Sequence, residues 1–108
     1  MTTAAGHQGE KITVVVEEDL QDLIPGYLEN RLKDIAAIRE ALSKKDYETI
    51  RSLGHKMKGS GGGYGFDAIT EIGHGLEEAA KGEQEEKILT LVEELISYLE
   101  RVEVVYQG

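Results

Sequence analysis

Apolar residues return every three or four positions through four stretches of the chain, and each stretch predicts an amphipathic helix. From Pro25 to Leu42 the spacing is Leu28, Leu32, Ile35, Ile38 and Leu42. Between Tyr47 and about Gly61, Tyr47, Ile50, Leu53, Gly54 and Met57 form one stripe. Glu48, Arg51, Ser52, His55, Lys58 and Gly59 form the other, so His55 should face outward. The third stripe is Ile69, Ile72, Gly73, Leu76, Ala79 and Ala80. The fourth helix should run from Glu83 to about Val105, with Ile88, Leu91, Val92, Leu95, Ile96, Leu99 and Val102 inward.

The connections are short and carry helix punctuation. Asp46 and Asp67 are placed to cap the second and third helices, and Lys81-Gly82 is a stop signal. Pro25, the only proline, marks a kink or a fresh start after a short helix expected from about Glu18 to Ile24. The expected fold class is all-α: a short N-terminal helix leading into an antiparallel four-helix bundle.

Residues 1–16 fall outside that pattern and read as a flexible or extended segment, with the helical domain over 17–108. Met1 to Glu10 is small and polar. Ile12, Val14, Val15 and Val16 form a β-branched run with strand character. This run can lie extended against the bundle, pair with the β-prone Val102 to Tyr106 end, or open the first helix.

A length of 108 residues suits one small domain. Cysteine is absent, which removes disulfides and thiolate metal sites and suits a reducing compartment. The opening residues resemble no secretory signal, and no apolar run reaches the roughly 20 residues that span a bilayer. A cytoplasmic location without membrane attachment is expected.

The net charge of −9 argues against nucleic acid or an anionic membrane as a main partner. Its distribution is more informative than its total. Residues 44–58 carry Lys44, Lys45, Arg51, Lys56 and Lys58 against Asp46 and Glu48, a local excess of positive charge around His55 in an acidic chain. That surface suits a phosphate and an acidic partner.

The stretch HKMKGSGGGYGF, His55 to Phe66, holds the candidate chemistry. His55, Lys58 and Gly59 are spaced three and four apart, so they share one helix face. A glycine in a helix interior costs roughly 1 kcal/mol against alanine, and room for an approaching group is the reason that fits Gly59. Histidine ordinarily titrates near pH 6.5, so a neutral ring nitrogen is available as a nucleophile around neutrality. Lys58 offers a charge-assisted contact to phosphate oxygens. Tyr64 and Phe66 read as core residues closing the end of the bundle.

The H-x-x-K-G core, the small-residue stretch and the aromatic-glycine pair resemble the histidine-containing phosphotransfer (HPt) domain of bacterial phosphorelays, over about Glu18 to Arg101. The resemblance implies a phosphate carried on His55, assisted by Lys58, with Gly59 leaving space for the partner. Arg51, Ser52, Gly62 and Glu77 then border the partner-binding patch. Glu77, in the pair Leu76-Glu77, has two readings: a carboxylate that orients the imidazole, or a solvated acid on a helix flank. The implied partners are response-regulator receiver domains and a hybrid sensor kinase. No cofactor is implied in this chain, with Mg²⁺ expected in the receiver, and no kinase activity of its own. The alternative is a helical module that binds receivers without being phosphorylated.

Other motifs carry less. Gly54 to Ser60 lacks the lysine that a phosphate-binding loop needs after its second glycine. Glu71 and His74 have Glu-x-x-His spacing, but a di-metal bundle requires a second copy and two further inward glutamates. His74 reads as a surface histidine and His7 belongs to the N-terminal tail.

Overall fold

The computed structural model describes residues 10–108. Strand β1 (Ile12–Glu17) is followed by a 3-10 turn at Glu18–Leu20, and four helices come next: α1 (Ile24–Ser43), α2 (Tyr47–Gly61), α3 (Asp67–Lys81) and α4 (Glu85–Arg101). A second 3-10 turn at Gly62–Tyr64 joins α2 to α3, and strand β2 (Val102–Gln107) ends the fold. Each helix packs against two others, in the pairs α1 with α2, α2 with α3, α3 with α4, and α1 with α4. No helix among the described residues is long and apolar enough to cross a membrane.

The core collects the inward stripes. Ile38, Ile50, Met57, Phe66, Ile69, Leu76, Ile88 and Leu95 are fully buried, each removal from water stabilising by about 1.5–3 kcal/mol. Tyr27 and Tyr98 also lie inside, extending the aliphatic stripes with aromatic rings that carry a hydroxyl. Tyr27 stacks on Phe66 at 5.8 Å, and its hydroxyl shares a 2.9 Å hydrogen bond with Ser60 Oγ, which ties α1 to the end of α2. Tyr64 is half-buried beside Tyr27.

Helix boundaries follow local chemistry. Asp46 accepts a 3.2 Å hydrogen bond from the Thr49 N–H and so caps α2 as expected. Helix α1 ends with Lys45 at φ 56° while the Lys45 and Asp46 N–H groups bond the carbonyls of Leu42 and Ala41. Helix α3 ends the same way at Glu83, φ 53°. Both reversals satisfy carbonyls that a helix end leaves open. Pro25 sits in the first turn of α1, a fresh start rather than a kink, where a missing N–H costs nothing.

Several expectations are corrected. The fold is not purely all-α, because β1 and β2 pair in parallel with Ile12 opposite Val102 and Val16 opposite Tyr106. Of the three options for the Ile12 to Val16 run, pairing with the C-terminal end is the one realised. The last helix accordingly stops at Arg101, where β-branched Val102, Val104 and Val105 favour extended backbone. The short N-terminal helix is only the three-residue turn Glu18–Leu20. Asp67 begins α3 without a side-chain cap, and Phe66 holds the cap position. Leu32 is 55% exposed, and Ile24, Tyr27 and Ala41 complete the buried face of α1 instead. The flexible reading of Met1 to Gly9, with His7, lies outside the described residues.

Candidate functional site

The site is built where α2 and α3 come into near-backbone contact. Gly54 on α2 faces Gly73 on α3, and a Cβ at Gly54 would sit 2.7 Å from both the Glu77 nitrogen and the Gly73 oxygen. A Cβ at Gly73 would lie 2.5 Å from the Lys58 nitrogen and 2.6 Å from Met57 Cβ. Only hydrogen fits at these two positions, so the pair sets how closely the helices approach. That closeness brings the side chain of Glu77 across to His55 and Lys58, one turn apart on α2.

Glu77 Oε2 lies 3.1 Å from His55 Nδ1, and Lys58 Nζ lies 3.0 Å from Glu77 Oε1. The Lys58 contact is an ion pair by distance, without the alignment of a full hydrogen bond on Oε1. The Glu77 side chain is only 7% exposed, whereas that of His55 is 65% exposed. A buried acid thus stands behind an exposed imidazole. The solvated-flank reading of Glu77 does not hold, because its carboxylate turns inward between two α2 side chains.

The neighbouring Lys58 ammonium, and then the His55 contact, hold the Glu77 carboxyl below the usual carboxylate range, against the opposing effect of desolvation. An ionised carboxylate only accepts hydrogen bonds, so His55 Nδ1 must carry the proton. The lone pair of neutral His55 is thereby placed on Nε2, at the opposite edge of the ring.

A pH prediction follows from this direction. The folded pKa of Glu77 is depressed, so its contribution is fully present above the unfolded value of about 4.3. It is lost as pH falls through the lower folded value. A carbon-detected NMR titration of the Glu77 carboxyl should therefore show a midpoint below those of glutamates in model peptides. A midpoint at or above them would break the ion-pair assignment.

Around this centre the other expected residues fall into distinct places. A Cβ at Gly59 would meet no atom within 4 Å, so the surface beside His55 is open there. Gly62 is exposed and donates its N–H to Thr70 Oγ1 at 2.7 Å. Arg51 and Ser52 are half-buried one turn before His55, and the Arg51 guanidinium is engaged by Glu48. Lys44 and Lys45 pair with Glu40 and Glu85. Lys56 is exposed and has no ion pair within 4.0 Å among the described residues, so it is the cation of the run left open beside His55.

Thr70 was not legible as part of this region. Its hydroxyl accepts from Gly62 N and donates to the Lys58 carbonyl at 3.1 Å, closing the last turn of α2 from across the helix interface. Gly61 makes room for it, since a Cβ there would lie 2.7 Å from the Thr70 nitrogen and 2.8 Å from its Oγ1. The facing small positions Gly61 and Thr70 were the available signal. Among the described residues, the possible metal ligands that come within 4.8 Å of one another are His74, Glu77 and Glu78, without Glu71, and Glu77 is already engaged by Lys58 and His55.

No curated protein and no solved structure matches the chain significantly. The family model described as Hpt domain matches residues 16–104, which covers the end of β1, all four helices and the start of β2. With an exposed histidine, a lysine one turn on and an open glycine carried on the second of four packed helices, the chain belongs to the Hpt domain family, the histidine phosphotransfer modules of phosphorelays.

Proposed function

We propose that this protein relays a phosphoryl group between the aspartates of response-regulator receiver domains, carrying it on His55 Nε2. The observation that supports this most is the Glu77 carboxylate at 3.1 Å from Nδ1, which assigns the nucleophilic lone pair to Nε2. In the transfer, Nε2 attacks the phosphorus of an aspartyl phosphate. The N–P bond forms, the P–O bond to the aspartate breaks, and the aspartate leaves as a carboxylate. Nδ1 keeps its proton throughout, and Glu77 stabilises the positive charge that develops on the ring.

Glu77 by itself would repel the incoming phosphate. Lys58 offsets this, because its ammonium carries three donors and can hold Glu77 Oε1 and a phosphate oxygen together. Gly59 leaves the approach open, and Arg51, Ser52 and Gly62 border it, with Lys56 set to meet an acidic receiver pocket. Glu77 contributes to the partner patch through His55 and Lys58, not by touching the partner. The receiver supplies Mg²⁺ and the aspartate, and a hybrid sensor kinase is the upstream source. In this reading the four helices form an antiparallel bundle, the protein is a carrier without kinase activity, and it works in the cytoplasm.

Incubation with a phosphorylated receiver domain should yield an acid-labile, base-stable phosphate on this chain within the lifetime of the aspartyl phosphate. A panel of native receivers that bind the protein but leave no label would establish instead a module that docks without being phosphorylated.

A further inference from the structure

We infer that strand β1 is a self-association edge, and that two copies of this chain pair β1 with β1 in antiparallel fashion to form a four-stranded sheet. The sheet within one chain has only two strands, paired in parallel. Two strands alone are marginal in water, and parallel pairing is slightly weaker per residue than antiparallel pairing. Among the described residues, no third strand pairs with β1 or β2, and the Val102 N–H at the start of β2 is taken by the Tyr98 carbonyl of α4. Both outer edges therefore lack a strand partner, the arrangement that templates a further strand, and on β1 the loop at Gly65 lies beside the Val15 carbonyl without bonding it.

The side chains specify which edge and which occupant. Along β1 the residues alternate, with Ile12, Val14 and Val16 turned toward the helices and Lys11, Thr13, Val15 and Glu17 exposed. Val15 is 54% exposed and its register partner Val105 46%, so the outer face carries an apolar pair with nothing over it. In an antiparallel pairing centred on Val14, Ile12 stands opposite Val16 of the second copy and Thr13 opposite Val15. Lys11 then stands opposite Glu17 at both ends, because the two-fold axis repeats each contact. Opposite charges facing across strands stabilise the pair, and like charges oppose it. Strand β2 offers no such match, since Glu103 is its only charged residue. The inner and outer faces of β1 keep their sides across the junction, so the sheet continues without a change of face.

A contact of seven residues per copy, Lys11 to Glu17, is small beside the roughly 1,200–2,000 Å² of a stable interface. The dimer should therefore be weak and should form in the high-micromolar range or above. Sedimentation equilibrium of the full chain at low salt, from about 10 µM to 1 mM, should show a reversible monomer–dimer equilibrium. Glu17→Lys or Lys11→Glu alone sets like charges opposite at both ends and should weaken association roughly tenfold. The double exchange Lys11→Glu with Glu17→Lys should restore it. Helical circular dichroism serves as the folding control for each variant. A chain that stays monomeric to 1 mM overturns the inference and leaves the edge to a strand of another protein. A folded double exchange that fails to recover overturns the β1–β1 register. Neither result bears on phosphate labelling at His55, which the sheet does not enter.

Discussion

Replacing His55 by glutamine is expected to abolish phosphoryl acceptance and to leave the fold intact. Loss of a sole nucleophile removes the reaction rather than slowing it by a factor tied to binding, and at least about 10³-fold is expected. The amide nitrogen of glutamine has no lone pair available for attack, so no partial carrier remains. Stability should change by no more than about 0.5 kcal/mol, because the His55 side chain is 65% exposed and the core beneath it is formed by Met57 and Leu76. The glutamine amide can donate toward Glu77 Oε2, and Lys58 remains beside Oε1, which spares the buried acid the loss of all its partners. The checks are label transfer from a phosphorylated receiver together with a thermal melt. Label that persists in His55→Gln and vanishes in His74→Gln would move the acceptor to α3.

How much of this site was legible depended on which side chains act within one helix. His55, Lys58 and Gly59 lie on α2, so helical spacing alone placed them together and outward. Glu77 is 22 residues from His55 and joins it only through the α2–α3 crossing. Periodicity can place Glu77 on its own helix, but it cannot fix how the two helices are rotated against each other. That rotation decides between a solvated acid and a buried one. Thr70 escaped for the same reason, since its partners Lys58 and Gly62 are on the other side of the crossing.

The fold was readable where periodicity was long and missed where it changed type. The α2 boundaries match the expected Tyr47 to Gly61 because Asp46 opens the helix and the glycines after it thin its end. The C-terminal boundary was missed because Val102 continues the apolar spacing of α4 in sequence while its branched side chain favours a strand. Parallel pairing with Ile12 then decides the matter, a contact between the two ends of the fold that no local window contains. Leu32 was misplaced for a related reason. The first helix buries Tyr27 and Ala41 on its inner face, which turns it so that Leu32 falls outside.

The two kinds of glycine in this site should respond oppositely to the same substitution. Replacing glycine by alanine in a helix gains up to about 1 kcal/mol from backbone propensity. At Gly59 that gain should appear undiminished, because a Cβ there meets nothing within 4 Å. At Gly73 the added carbon would lie 2.5 Å from the Lys58 nitrogen and 2.7 Å from the Gly54 oxygen. Those atoms are backbone, so no rotamer change relieves the contact and α2 must move away from α3. Overpacking of this kind costs roughly 1–3 kcal/mol, and more where the backbone cannot shift freely. For a domain of this size each kcal/mol moves the melting temperature by about 4–8 °C. Gly73→Ala should therefore melt several degrees below the parent, while Gly59→Ala melts at or above it. The separation has a chemical consequence, since moving the helices apart draws Glu77 from Lys58 and His55. Its carboxyl titration should then rise back toward the ordinary range in Gly73→Ala and stay depressed in Gly59→Ala. Calorimetry on the two variants with the Glu77 titration tests both halves. A Gly73→Ala protein that is no less stable than the parent, with Glu77 still depressed, would show that the helix crossing is looser than the close glycine contact requires.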